Sequence, residues 1–351
     1  MQTPFKYIDI AKVIRERIAQ GDYAVNALPS GRKLAAELGV SYLTARRAIA
    51  HLVESGDLDR TASGRLALNA QPQVAGPKVA MLIPTNDSLS EVRWYRALHH
   101  AVAQREGSLR ACYYMHANDP VITDTIEADF DAIVLIAPHK MSPLLRSRLT
   151  ENRHRLVTLF TDMTDIGVSC VDGGGVSAIS QLLVHLKTLG HQRVDCIYTG
   201  YEGPELTDRI NGWRDALKIM HLQGELRMMD YDPKDDASAR ACKLVERLID
   251  EDRLECTALF CTTPYAAMGV IRATANKGIT LGKDLSVCTF GGYEMASMLT
   301  PTVTTVITGD EQAILSEALD WMRNPKADRK ARVIEPTQLS LFIGQSTGPT
   351  N

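Results

Sequence analysis

Three short stretches hold residue types that could do chemistry. In "TARRAIAHL" (44–52), Arg46 and Arg47 stand side by side, and a guanidinium is a rigid fork of donors matching guanine edges, phosphates or carboxylates. In "SVCTFGGYE" (286–294), an apolar strand pattern runs into Gly291-Gly292, which suits either a plain turn or a backbone closing on a ligand. In "VDGGGVSA" (171–178), Gly173-x-Gly175-x-x-Ala178 precedes a helical pattern, a loose dinucleotide fingerprint. The acid that should follow about 20 residues later is Asp195, which lies mid-strand, where it cannot reach a ribose. No GK[ST] follows any glycine loop, and no HExxH, GxSxG or Cys/His dyad spacing occurs. His99-His100 falls within an amphipathic pattern, where a solvated or packed pair outweighs a metal site. Seven scattered cysteines, never in CxxC and most within apolar runs, predict buried reduced thiols. No metal and no cofactor is expected, and an enzyme is the minor hypothesis.

The elements that must position these residues can be read from length and pattern. A chain of 351 residues, 45% apolar and 23% charged, is an ordinary globular protein with two or three folding units. No apolar run approaches the ~18 residues of a membrane span, and the amphipathic N-terminus is not a signal peptide; no membrane partner and a cytoplasmic location are expected. Residues 1–68 carry ten Lys/Arg against seven Asp/Glu, net +3, and the remainder twenty-nine against thirty-five, net −6. A mildly basic head on an acidic body permits nucleic-acid contact by the head. Residues 69–77, "NAQPQVAGP", read as a linker. Beyond it, apolar runs such as "KVAMLIP", "DAIVLIAP" and "ALFCT" alternate with helical patterns, predicting parallel sheets covered on both faces. Such sheets bind ligands at strand carboxyl ends. Gly291 sits at such an end, and Asn86 and Asp87 follow the first body strand.

In the head, Ser41 is placed to cap a helix whose apolar face is Ala45, Ala48, Ile49, Leu52 and Val53. A shorter helix, "SGRKLAAEL", stops at Gly39, and "LDRTASGRLAL" (58–68) reads as two strands around Ser63-Gly64. The residues alone leave an ordinary helical hairpin as open as a helix-turn-helix reader. "LPSGRKLAAELGVS" (28–41), "TARRAIAHLVESG" (44–56) and the wing resemble the GntR-family winged helix-turn-helix. That resemblance implies DNA contacts by Arg32, Tyr42, Arg46 and the wing tip Ser63-Gly64, with Thr44 and Arg47 toward phosphate. Tyr42 stands where such families usually have arginine.

The body resembles the effector domain of LacI/GalR repressors, which shares the fold of periplasmic sugar-binding proteins. The matching stretches are "CVDGGGVSAISQLLVHLKTLGHQRVDCIYTG" (170–200), "DRINGWRDAL" (208–217) and "ALFCTTPYAAMGVIRATANKGITLGKDLSVCTFGGYE" followed by "PTVTTV". The implied fold class is α/β: a winged helix-turn-helix before a two-lobed body with doubly wound parallel sheets, like the arabinose-responsive hybrid repressors. By the same resemblance Asp162, Arg209 and Tyr231 face a ligand cleft. Two departures stand out: Thr263-Pro264 and Gly291-Gly292 occupy positions where the family usually has carboxylate-containing pairs that grip sugar hydroxyls. A less hydroxylated or anionic effector, a larger sugar held by backbone groups, and a lost response all remain open.

The domain division is 1–68, linker 69–77 and body 78–351. Lobe one is drawn as 78–172 plus 304–328, and lobe two as 173–303 plus 329–346. The function expected is a homodimeric, operator-binding, effector-responsive repressor of transcription. An NAD-type enzyme with a DNA-binding accessory, and a body that only dimerises, are the alternatives.

Overall fold

The computed structural model describes residues 7–19, 22–23, 28–60, 66–68, 76–85, 89–138, 140–199, 204–229, 236–309, 311–324, 326, 328, 330–336 and 338–350. The head contains α1 (Tyr7–Ala19), α2 (Gly31–Glu37), α3 (Tyr42–Glu54) and an antiparallel pair, β1 (Leu58–Arg60) and β2 (Leu66–Leu68). Its core follows the periodicity. Ala48, Ile49 and Leu52 of α3 meet Ile10 and Ile14 of α1, Leu34 of α2 and Leu58 of β1, while Val53 is only half-buried. Gly39 adopts φ +63°, the left-handed conformation that ends α2 without a Cβ clash. Arg15 of α1 donates from Nε and Nη2 to the Asp57 carboxylate, tying the first helix to the turn before β1. This pairing holds the Asp57 carboxyl below its ordinary range.

Lobe one of the body opens with β3 (Lys78–Pro84), α4 (Leu89–Ala103), β4 (Ser108–Tyr114), α5 (Pro120–Glu127) and β5 (Ala132–Ile136). It continues through α6 (Pro143–Glu151), β6 (Leu156–Leu159) and β7 (Ser169–Val171). Lobe two contains α7 (Gly175–Thr188), β8 (Val194–Tyr198), α8 (Pro204–Met220), β9 (Leu226–Met228), α9 (Ala237–Asp250) and β10 (Ala258–Cys261). After these come α10 (Pro264–Asn276), β11 (Ser286–Thr289), the single turn α11 (Tyr293–Ala296) and β12 (Thr304–Thr308). The chain finishes with α12 (Glu311–Arg323), β13 (Val333–Ile334) and β14 (Leu339–Phe342).

The two sheets run β4-β3-β5-β6-β7-β13 and β9-β8-β10-β11-β12-β14, parallel throughout except for β14 against β12. Alternate residues of a strand feed opposite faces. In β3, Val79, Met81 and Ile83 join the core beneath α4 and α12, whereas Ala80 and Leu82 join that beneath α5 and α6. Strands buried on both faces read as continuous apolar runs, which is why their sequences carry no alternation.

The lobe boundaries drawn from sequence need correction at two segments. Residues 304–308 pair with β11 and β14 in lobe two, not in lobe one. Residues 333–334 pair with β7 in lobe one, not in lobe two. The chain leaves lobe two only after Thr308. It then packs the apolar face of α12 (Ile314, Leu315, Ala318, Leu319) into lobe one, and returns after β13. Strands this short carry too little pattern to reveal which sheet they join.

The last residues cross the N-terminal ends of the lobe-two strands. Ser346 is fully buried and donates its hydroxyl to Val287 O (2.6 Å) while accepting from Thr304 N. His191, also buried, bonds Ser286 Oγ, Thr257 Oγ1 and the Gly348 carbonyl, and His185 meets Thr347 Oγ1 at 3.0 Å. Burial depresses the pKa of both histidines.

Candidate functional site

On the head, α3 presents one outward face. Ser41 caps the helix, accepting from Thr44 N at 3.1 Å, and its oxygen lies 2.8 Å from Thr44 Oγ1. Tyr42, Leu43, Arg46 and Arg47 are exposed, and Arg32 of α2 places its guanidinium 5.9 Å from the Tyr42 ring centre. Arg32, Tyr42 and Arg46 therefore belong to one surface, built because the opposite face of α3 is spent on the core. Ser63 and Gly64 lie outside the described residues.

In the body, the lobes enclose a cleft of about 970 Å³ at the carboxyl ends of both sheets. Strand order reverses between β8 and β10 in lobe two, the crevice where doubly wound sheets take ligands. Of the residues expected there, Asp162, Arg209, Thr263 and Gly291 all line the cleft. Asn86 and Tyr231 lie outside the described residues. Arg209, buried on α8, donates from Nη1 to Thr262 O at 2.8 Å and stacks 4.2 Å from the Phe290 ring centre. Asp162 accepts from both the amide (2.8 Å) and the hydroxyl (2.7 Å) of Thr164, an Asx-type turn that leads into a short 3-10 helix at the cleft edge. The Thr263 hydroxyl accepts from Ala266 N at 3.2 Å, so this residue is the N-cap of α10.

Gly291 and Gly292 both have positive φ, +67° and +66°. No atom comes within 4 Å of a Cβ built on Gly291. On Gly292 that Cβ would lie 2.4 Å from Pro264 Cγ. The two departures from the acidic pattern thus touch, with proline filling the space a side chain at 292 would need. A helical turn, α11, follows the glycines, where the residue pattern predicts none.

The glycine fingerprint has a local occupant. The Asp172 carboxylate lies beside the backbone amides of Gly175, Gly174 and Gly173, which favour its charged form. A carboxylate of the chain itself thus stands next to the N-terminal amides of α7, where a phosphate would have to bind. Burial nevertheless raises the Asp172 pKa, with Glu335 adding to the shift. Asp195 is fully buried in β8 and paired with Arg193 and Arg227, far in role from a ribose ligand.

Several lining residues were not anticipated. Trp94 of α4 and Phe160 after β6 meet edge-to-face at 5.4 Å, and Phe160 holds φ +66°, a strained conformation for a bulky side chain. Arg240 of α9 is buried and donates from Nε to Thr199 O at 2.8 Å. Arg93 of α4 reaches Glu311 at 2.9 Å and Glu294 of lobe two at 3.9 Å, spanning the cleft. The phenylalanines each follow a strand directly, a placement that could have flagged them. Nothing in the pattern around Arg240 points to the cleft.

Among the described residues no cluster of His, Cys, Asp and Glu could hold a metal, and no helix is long and apolar enough to cross a membrane. Six of the seven cysteines are buried, and burial pushes the Cys170 and Cys256 thiols up to about 12.

Comparison with known proteins agrees with this geometry. Residues 6–64 match the family described as bacterial regulatory proteins, gntR family, and residues 183–347 match the periplasmic binding protein-like domain. The HTH-type transcriptional regulator DegA of Bacillus subtilis is 27% identical over 171 residues, 48% of each chain. The HTH-type transcriptional repressor CytR of Escherichia coli is 26% identical over 169 residues, 46% of this chain and 47% of that one. The chain thus spans about half the length of these curated relatives. A LacI family regulator of Enterococcus faecium solved with bound ribose superposes with TM-score 0.64 at 15% identity, covering 78% of this chain and all of that one. CcpA of Weissella paramesenteroides with bound sucrose gives TM-score 0.67 at 17% identity, with the same 78% of this chain covered and 100% of that structure. At these identities the solved structures establish the shared fold. The chain therefore joins a head that matches the gntR family model to a body that matches the periplasmic binding protein-like domain and shares the fold of solved LacI family regulators.

Proposed function

We propose that the protein is an operator-binding repressor of transcription, controlled by a sugar or sugar-derived small molecule in the cleft. The observation that carries this reading is the joining, in one chain, of an exposed Arg32–Tyr42–Arg46 face on a capped helix to a two-lobed cleft containing Arg209. Arg32, Tyr42 and Arg46 read bases, while Thr44 and Arg47 meet phosphate and the wing tip, Ser63-Gly64, enters the neighbouring groove. In the body Arg209 and Asp162 orient the effector, with Thr263 and Gly291 forming its lobe-two floor. Asn86 and Tyr231 are retained as effector contacts from their sequence positions.

The protein acts in the cytoplasm as a homodimer, since two heads related by a twofold axis match two half-sites and reinforce each other's affinity. Effector closure of the cleft changes head placement only if the effector binds one arrangement better than the other. Relatives named as transcriptional regulators and repressors support this reading. The Asp172 carboxylate inside the glycine loop disfavours the dinucleotide-enzyme reading.

The test is selection of duplexes from a random library by the full chain. Recovery of a two-half-site sequence, released by a cleft ligand, supports the proposal. Absence of any enriched sequence contradicts it.

A further inference from the structure

On the operator-binding reading proposed above, we infer that an ion pair between Asp22 of the head and Arg110 of lobe one seats the head on the β4 edge of its own body. In the proposed dimer this seat fixes the separation of the two half-sites. Arg110 donates from Nη1 to Asp22 Oδ1 at 2.5 Å, across 88 residues of sequence, and the two side chains are 38% and 34% exposed. Asp22 lies in the turn after α1, where its amide donates to Arg17 O at 3.0 Å and the neighbouring Tyr23 is buried in the head core. The Arg17 guanidinium also acts on Asp22 but lies 3.9 Å from Glu37, so Asp22 has one cation on its own helix and a second on the body. Arg110 is the third residue of β4, the outermost strand of its sheet, in register with Ala80 of β3.

The path of the chain supports the same seat. Pro77 O accepts from Ser108 N at 2.9 Å, so the chain enters the body beside the first residue of β4, about 7 Å along the strand from Arg110. Between Leu68, the end of β2, and Gly76 it can span at most about 29 Å. A tether of that length keeps the head near β4 at high effective concentration, and a half-exposed ion pair has only to bias a head already held close. The seat leaves the reading face open: Arg32, Tyr42, Arg46 and Arg47 stay exposed with the pair formed. Seated heads therefore offer two reading faces at one separation, whereas heads held by the linker alone sample many.

The experiment measures the distance from head to lobe one in the full chain by pulsed electron spin resonance. Nitroxides are placed on Glu54→Cys and Leu144→Cys, both exposed, in a Cys242→Ser background whose other cysteines are buried, and labelled chains are diluted with unlabelled ones. Wild type is expected to give one narrow distance. Arg110→Glu, which sets two carboxylates face to face, should raise the fraction outside that distance by about fivefold. The double variant Asp22→Lys, Arg110→Glu should bring it back, which a general disturbance of β4 would not do. Asp22→Asn, made on the head alone, repeats the loss if Arg110→Glu does not fold. A broad distance in wild type, or the same narrow one in Arg110→Glu and Asp22→Asn, overturns the inference.

A second arm measures, by anisotropy, affinity for duplexes carrying the two selected half-sites at spacings stepped by one base pair. Wild type should prefer one spacing by about fivefold or more over its neighbours, and Arg110→Glu should flatten that preference while keeping its affinity for a single half-site. An unchanged spacing profile in Arg110→Glu overturns the inference and leaves the operator reading standing. If no duplex is selected at all, the operator reading falls, and the distance measurement alone decides whether the head is seated.

Discussion

Pro264 and Gly292 share one volume: a Cβ on Gly292 would sit 2.4 Å from Pro264 Cγ, so a side chain at 292 calls for a smaller residue at 264. Twenty-eight residues apart in sequence order, they form a single unit at the ends of β10 and β11. This pairing turns two separate sequence oddities into one structural choice about what the cleft floor offers a ligand.

That unit makes a stability prediction. Gly292→Ala combines a strained φ with a steric clash and should destabilise the protein by about 1–3 kcal/mol. Gly291→Ala meets no neighbour and should cost only about 1 kcal/mol for its backbone conformation. Adding Pro264→Ala to Gly292→Ala should recover part of the loss, a non-additivity read directly by urea unfolding. Equal, additive costs would mean that the contact is unimportant.

Arg46→Ala should weaken operator binding by about 1–3 kcal/mol and relax preference at one base position. Arg47→Ala should lower affinity more evenly across sequences and reduce the salt dependence by about one counterion. Fluorescence anisotropy at several salt concentrations separates the two. Ser41→Ala acts differently: it removes the α3 cap and should cost the head about 0.5–2 kcal/mol, visible in thermal unfolding without DNA.

The C-terminal tail predicts a pH dependence. Burial lowers the pKa of His185 and His191, both bonded to the tail, so the unfolded chain takes up protons at these sites before the native one does. Their contribution is complete above the unfolded histidine value of about 6.5 and is lost as pH falls through the folded values. Unfolding of the body followed from pH 7.5 to 5 should show declining stability, with a flatter slope in the His185→Gln, His191→Asn double variant. An unchanged slope in that variant would assign the decline to other groups.

The long buried elements were readable because their patterns are continuous. "KVAMLIP" is β3 residue for residue, and the helical pattern that follows the glycine run is α7 (Gly175–Thr188). The edge strand β4, "SLRACYY", has no such pattern, because half-buried Ser108 and Arg110 and exposed Tyr113 interrupt its apolar run. Residues 304–308 and 333–334 were assigned to the wrong lobes, since sheet partnership depends on chain crossings that no local pattern records. At the site, Arg209 was marked by its motif, while Arg240 reaches the cleft only through the packing of α9 beside α10. The Asx-type turn at Asp162 and the cap formed by Thr263 depend on turn geometry that spacing alone leaves open.

The central claim is that the cleft controls the DNA-reading head. The most direct measurement is operator affinity of the full chain, by anisotropy, with and without a ligand that stabilises the protein thermally. The account predicts that such a ligand changes the DNA Kd by about 5–150-fold and that Arg209→Ala abolishes the change while preserving ligand-free operator binding. A ligand that occupies the cleft through Arg209 yet leaves operator affinity unmoved would contradict it.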